Sequence, residues 1–317
     1  MEPSPAVHGI HHVTAIAGHP QENLDFYAGV LGLRLVKRSV NQDDPGTYHL
    51  FYADAAGTPG TDVTFFPWMR MAPSRPGAGL VGEIALAVPS EHLGWWSERL
   101  RELGVETLDE ESRFGEPALP FRDPHGLPLA LVGIEGEREF AAWEGSQVPP
   151  ERQIRGVHAV RIRVRASGPT ERLLADQLGF SLAAEDRGWR RWAAGEGSGA
   201  FADLFEEPGA HVGRWGTGAV HHVAWRVHDD AEELLVRAAV EAAGLSPTPV
   251  IDRFWFRSVY FKEPGGTLFE LATDGPGFDR DEDPESLGET LVLPPWLEPH
   301  RREIEAVLPP LEVPAAT

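Results

Sequence analysis

The chain contains no cysteine, which excludes disulfide bonds and thiolate metal sites. Any metal must therefore be held by histidine, aspartate, glutamate or water. Basic residues are scarce, with 28 Lys and Arg against 49 Asp and Glu and a formal charge of -21. Nucleic acid and anionic membrane surfaces both demand clustered cations, so neither is an expected partner. No uninterrupted apolar run approaches the roughly 18 residues of a membrane span. The first residues carry no basic segment leading into an apolar one, so no secretory signal is read and a cytoplasmic location is expected. What remains is an ordinary globular composition of 317 residues, 42% of them hydrophobic. That length suggests about two domains with ample core.

Against this plain background one phrase occurs twice. Ile10-His11-His12-Val13-Thr14 returns as Val220-His221-His222-Val223-Ala224. Residues 10–16 read as a strand, Pro20 to Leu31 as a helix stopped by Gly32, and Leu33 to Val40 and Thr47 to Ala53 as strands. Gly57-Thr58-Pro59-Gly60 then turns into Val63 to Phe66. The same order recurs between Ala219 and Thr273. A strand from His221 to Val227 leads to Asp229 or Asp230 as N-cap and a helix to Ala243. Strands including Phe254 to Lys262 follow, and Glu263-Pro264-Gly265-Gly266 turns into Thr267 to Ala272. Weaker copies open at Leu80 to Val88 and at Gly156 to Val164. The chain reads as an α+β protein of four βαβββ modules, residues 8–70, 79–135, 156–210 and 218–275. Residues 136–155 are a polar, proline-bearing linker, and 276–317 a C-terminal tail with a short helix near Arg301 to Leu308. The acidic run Asp279 to Glu285 lacks the spacing of a calcium loop and reads as solvated surface.

Side chains alternate across a strand, which assigns faces. Val223, Trp225 and Val227 share the face suited to helix packing, while His222 shares the other with Ala224 and Arg226. By the same argument His12 points into the cup of the sheet, while His11 and His221 start on the opposite face unless strand-end twist brings them back to the rim. Glu270 lies in an apolar strand, where a carboxylate is costly to bury unless paired or coordinated. Each of these residues alone reads as a satisfied buried group. Two imidazoles and a carboxylate at equivalent places of repeated modules read as a metal site, with His12, His222 and Glu270 as ligands. The other modules act as an internal control. They carry Ala159 and Glu83 at the ligand position, so His158 is read as structural and Glu83 as a salt bridge or rim residue. At the place of Glu270 module two has Ala130, and module one an apolar residue near Phe65. The ligands can meet only if module one shares a cupped sheet with module four, leaving two with three. Three ligands on one face leave positions open for substrate and dioxygen, and the donor set suits iron(II) or manganese(II) better than structural zinc.

The chain resembles the vicinal-oxygen-chelate superfamily (glyoxalase, bleomycin-resistance and extradiol dioxygenase proteins), and within it the hydroquinone 1,2-dioxygenase-like ring-cleaving enzymes. The resemblance rests on His11-His12-Val13-Thr14, Tyr48-His49-Leu50-Phe51-Tyr52, Gly57-Thr58-Pro59-Gly60-Thr61 and Thr64-Phe65-Phe66-Pro67. It continues through His221-His222, Asp252-Arg253, Ser258-Val259-Tyr260, Glu263-Pro264-Gly265-Gly266, Phe269-Glu270 and Asp274-Gly275-Pro276-Gly277-Phe278. It implies two glyoxalase-like cupped sheets and Fe(II), with Mn(II) as the substitute, at His12, His222 and Glu270. It further implies an extradiol-type, oxygen-dependent opening of a dihydroxylated aromatic ring, most often a para-hydroquinone. His11, Thr14, Arg253 and Tyr260 are then expected beside the metal or the substrate, and His49 is read as structural. The implied partners are a small aromatic molecule and O2, with a homo-oligomer left open. The rivals are a catechol extradiol dioxygenase, a glyoxalase-like metal-dependent lyase and a binding protein of the bleomycin-resistance kind.

Overall fold

A computed structural model describes residues 5–195 and 197–313. The first repeat runs β1 (Ile10–Ala17), α1 (Pro20–Leu24), β2 (Arg34–Asn41), β3 (Asp44–Ala53) and β4 (Asp62–Pro67). The second runs β5 (Val81–Pro89), α2 (Leu93–Glu102), β6 (Glu111–Arg113), β7 (Glu116–Arg122) and β8 (Pro128–Ile134). The third comprises β9 (Val157–Val164), α3 (Ser167–Arg172), β10 (Ser181–Asp186), β11 (Trp189–Ala193) and β12 (Phe201–Glu206). The fourth comprises β13 (Val220–Val227), α4 (Asp230–Ala242), β14 (Ile251–Asp252), β15 (Arg257–Lys262) and β16 (Leu268–Thr273). A last helix, α5 (Arg301–Val307), lies in the tail, and no described helix is long and apolar enough to cross a membrane.

The described strands form two eight-stranded sheets, ordered β14-β15-β16-β13-β1-β4-β3-β2 and β10-β11-β12-β9-β5-β8-β7-β6. The first repeat therefore shares a sheet with the fourth and the second with the third, the pairing required for the three ligands to meet. Within each repeat the first strand lies parallel to the last. The two halves of each sheet join through antiparallel first strands, β1 with β13 and β5 with β9. These joining strands are central, which explains why all of β1 is buried although its cup face carries His12 and Thr14. One face of the sheets packs on the helices, where Val13, Phe65, Trp225 and Phe269 share a core with Tyr27, Trp96 and Val236. The other face of the first sheet is the cup.

The junctions carry a detail that simple alternation misses. β1 and β13 pair Ile10 with Trp225 and then His12 with Ala224, and they pair Thr14 with His222 and then Ala15 with Val220. One extra residue is thus inserted on each strand, His11 and His221, and each is a β-bulge. The second sheet has the same bulges at Gly82 and His158. A bulge resets the alternation, so simple alternation fails at His11 and His221, and a bulge instead of strand-end twist brings each back beside its neighbour. Their imidazoles meet those of His12 and His222 edge to edge, at ring-plane angles of 83° and 81°.

Three further expectations change. The first helix is α-helical only through Leu24 and widens into a π-turn over Asp25–Val30. The strand expected from Phe254 begins at Arg257, because Phe254 takes a left-handed φ of 75° and bends the chain over the cup. The acidic run is not wholly solvated: Asp281 and Glu282 grip the fully buried Lys37 of β2 at 2.9 and 2.5 Å, and Phe278 O accepts from it at 2.8 Å. That clamp fastens the tail beside Trp255, whose indole Nε1 donates to Asp281 Oδ1 at 2.9 Å. The segment 136–155 also packs closely, with Val148, Gln153 and Ile154 buried.

Candidate metal centre

β1, β13 and β16 bring His12, His222 and Glu270 together, all buried. His12 Nε2 lies 3.3 Å from His222 Nε2 and 3.3 Å from Glu270 Oε2, and His222 Nε2 lies 2.8 Å from the same oxygen. Donors at right angles on a cation with bonds of ~2.1 Å would stand about 3 Å apart, so the triangle has the right size. Glu270 Oε2 makes no hydrogen bond among the described residues although it is buried. Burial opposes ionisation of Glu270, but His12 and His222 outweigh it and hold the carboxyl well below its usual range. Burial lowers the His222 pKa, and His11 and His221 fall to about 3 through burial first and their histidine neighbours second. These three imidazoles are therefore neutral at pH 7.

The bulges now acquire a chemical meaning. His11 Nδ1 lies 3.0 Å from His12 Nδ1, and His221 Nδ1 lies 2.8 Å from His222 Nδ1. If His12 and His222 donate these bonds, each turns an Nε2 lone pair into the triangle, the tautomer a metal ligand needs. Three lone pairs then face one another in a buried site, and a shared divalent cation is what relieves their repulsion. The residues fit such a metal.

The pseudo-symmetry of the sheet identifies the missing fourth ligand. Glu270 pairs with Ala224, and the matching residue Thr14 pairs with Thr64. The counterpart of Glu270 in the first repeat is thus the hydroxyl of Thr64, not an apolar residue near Phe65; parallel register, invisible in sequence, differs by one residue from the earlier alignment. Thr64 Oγ1 is committed to Thr14 at 2.7 Å and to His49 Nε2 at 2.9 Å. In the second sheet the same places hold Glu83, Ala159, Ala130 and Asp203. Arg113 and Arg161 pair with Glu83, and Arg191 pairs with Asp203 at 2.8 Å, so guanidinium groups neutralise what a metal would. His158 bonds Glu116 at 3.0 Å within the same network.

Around the triangle, Tyr260 stands with its ring 5.7 Å from that of His222, and Arg253 lies 5.4 Å from the Tyr260 ring. Burial raises the Tyr260 pKa, with Glu270 adding to it. Arg253 also reaches Asp43 Oδ2 at 2.8 Å, and its carbonyl accepts from Gln42. Phe51, Phe66, Trp255 and Phe256 complete an aromatic wall. Thr14 is buried beside the ligands with its hydroxyl spent on Thr64. Sequence reasoning gave no role to Ser258 or Thr64 and read His49 as structural, although Ser258 and His49 share the cup face by alternation with Tyr260 and Phe51. A second cluster, His8, His228 and Glu232, is half-exposed, and its stacked imidazoles are 4.0 Å apart. Glu232 caps the start of α4 through the His228 amide, and the His228 ring bonds Asp274, so its donors are already engaged.

Two cupped sheets of paired βαβββ repeats, with one buried His/His/Glu set, define a protein of the vicinal-oxygen-chelate class. The profile of the Glyoxalase/Bleomycin resistance protein/Dioxygenase superfamily matches residues 9–131. MhqO of Bacillus subtilis strain 168, which carries the name of a ring-cleaving dioxygenase, is 44% identical over 96% of this chain and 97% of its own. The chlorohydroquinone/hydroquinone 1,2-dioxygenase of Sphingobium indicum is 32% identical over 94% of this chain and 95% of its own. A crystal structure of a dioxygenase-named protein from Bacillus subtilis superimposes with a TM-score of 0.92 at 43% identity, covering 98% of this chain and 99% of that one. Glyoxalase I of Zea mays shares the fold alone, with a TM-score of 0.63 at 16% identity. The chain belongs to this superfamily, among its ring-cleaving dioxygenases.

Proposed function

We propose that the protein is an Fe(II)-dependent dioxygenase that opens a substituted para-hydroquinone beside one hydroxyl. Mn(II) satisfies the same donor set. The observation that carries the reading is the buried triangle of His12, His222 and Glu270, whose open side faces an aromatic-walled cup. Relatives named as ring-cleaving and hydroquinone dioxygenases support its chemistry. When bound, the metal supplies a site where ring and dioxygen exchange electrons.

The chain's own residues bind, orient and exclude. Phe51, Phe66 and Phe256 stack on the ring and keep bulk water out. Tyr260 and Arg253 would donate hydrogen bonds to the oxygens of the substrate ring, and Arg253 keeps its charge for this: burial opposes it, yet Tyr260 and Asp43 raise its pKa on balance. His11 and His221 hold the tautomers of the two histidine ligands. The commitment of Thr64 to Thr14 and His49 argues against a glyoxalase-like lyase, because no fourth carboxylate stands where a closed ligand set needs one. Anaerobic loading with Fe(II), followed by oxygen-electrode assays on hydroquinone and catechol, tests the reading. Oxygen uptake with hydroquinone in excess of catechol is expected; uptake with neither ring sinks it.

A further inference from the structure

We infer that Ser258 is a positioning residue that keeps Glu270 a one-oxygen donor and thereby sets how many metal positions stay open. This inference rests on the metal-dependent reading above. Ser258 on β15 pairs with Ala272, and Tyr260 pairs with Glu270, so Ser258 is the diagonal neighbour of Glu270 on the cup face. Its hydroxyl donates to Glu270 Oε1 at 2.5 Å, and both residues are fully buried. A hydroxyl-to-carboxylate bond of that length is among the strong, charge-assisted ones. The two oxygens of Glu270 thus have different tasks: Oε1 is occupied by Ser258, and Oε2 alone faces His12 and His222.

A carboxylate binds a cation through one oxygen or through both, and what decides is whether the second oxygen has another partner. Here Ser258 is that partner. The other half of the cup repeats the device. Phe51 pairs with Thr64 as Tyr260 pairs with Glu270, and His49, two residues before Phe51, bonds Thr64 Oγ1 at 2.9 Å. In both halves the residue two before the cross-strand partner orients the inward-pointing group. Without the Ser258 hydroxyl, Glu270 Oε1 is a buried oxygen with no donor, and turning it onto the metal satisfies it. Glu270 then occupies two positions, and one fewer is left for substrate and dioxygen.

The test uses the full-length protein loaded with Mn(II) as probe. Water-proton relaxivity reports exchangeable positions on the ion. An octahedral ion with three protein donors keeps three such positions and one with four keeps two, so relaxivity per bound Mn(II) is expected to fall by about a third in Ser258→Ala. Ser258→Thr retains the hydroxyl and is expected to restore it. Should Ser258→Ala fail to fold, Ser258→Cys, a near-isostere with a weak donor, is expected to show the same loss. Wild-type relaxivity per bound ion in Ser258→Ala or Ser258→Cys overturns the inference while leaving the metal centre intact. A wild-type protein that binds no Mn(II) and no Fe(II) overturns both.

Discussion

His11 and His12 differ by one peptide unit, yet the bulge gives them different work. His12 turns Nε2 toward His222 and Glu270, and His11 meets its other nitrogen at 3.0 Å. Removing such an orienting partner commonly weakens metal binding by about 10–100-fold. His11→Phe should therefore bind Fe(II) that much more weakly while remaining folded, as an anaerobic metal titration would measure. Tyr260→Phe keeps the wall but deletes a donor; a fall in kcat/KM of about 10–100-fold, or roughly 1.4–2.7 kcal/mol, is expected with metal affinity unchanged. Away from the site, Glu233 on α4 is fully buried, and neither carboxylate oxygen has a hydrogen-bond partner among the described residues. Burial first and Asp230 second raise its pKa from the ordinary 4.5 to about 7. The folded state thus binds a proton more tightly than the unfolded one, so stability is full below pH 4.5 and erodes as pH rises toward 7. Glu233→Gln should flatten that slope and stabilise the protein at pH 8, by about 3 kcal/mol at most. Denaturant melts across pH that show an unchanged slope would refute this.

At the scale of elements, the cup is closed by two segments that no local pattern announces. The turn between β2 and β3 reaches the bend before β15 through Asp43 to Arg253 and Gln42 to the Arg253 carbonyl. The cavity beneath is about 40 Å³, well under the ~150 Å³ that accommodates a benzene ring, so the proposed aromatic substrate requires this site to widen. Asp43 is exposed, and such a pair contributes under about 1 kcal/mol, so Asp43→Ala should change KM by no more than a few-fold. The second segment is the tail, held by Lys37. Lys37→Met leaves Asp281 and Glu282 without their cation, and breaking a buried pair costs about 3–5 kcal/mol. For a chain of this size the midpoint of thermal unfolding should drop by roughly 10 °C. A melting temperature equal to wild type would show that the clamp holds nothing. The sequence hid this clamp because Lys37 and Asp281 are joined only by the fold; the acidic run alone looks like solvent-facing charge.

For the whole molecule, the repeat was the legible part. Twin His-His phrases, Pro-Gly turns and period-two alternation were enough to pair the first repeat with the fourth and to turn His12, His222 and Glu270 to one side. Bulges and parallel register were not legible, because pairing between strands distant in sequence decides them; this is why alternation alone started His11 on the opposite face and Thr64 was missed. Ser258 was in view but lacked a reason until its hydroxyl was seen on Glu270. The two sheets also make a quantitative claim. The two cups share one design, and arginines neutralise the carboxylates in one of them. Only one of the two cups is therefore left to hold a metal. Metal analysis of the anaerobically loaded protein should find one iron per chain, and none in a folded Glu270→Ala variant. Two irons per chain in the wild type, or one retained without Glu270, would contradict it.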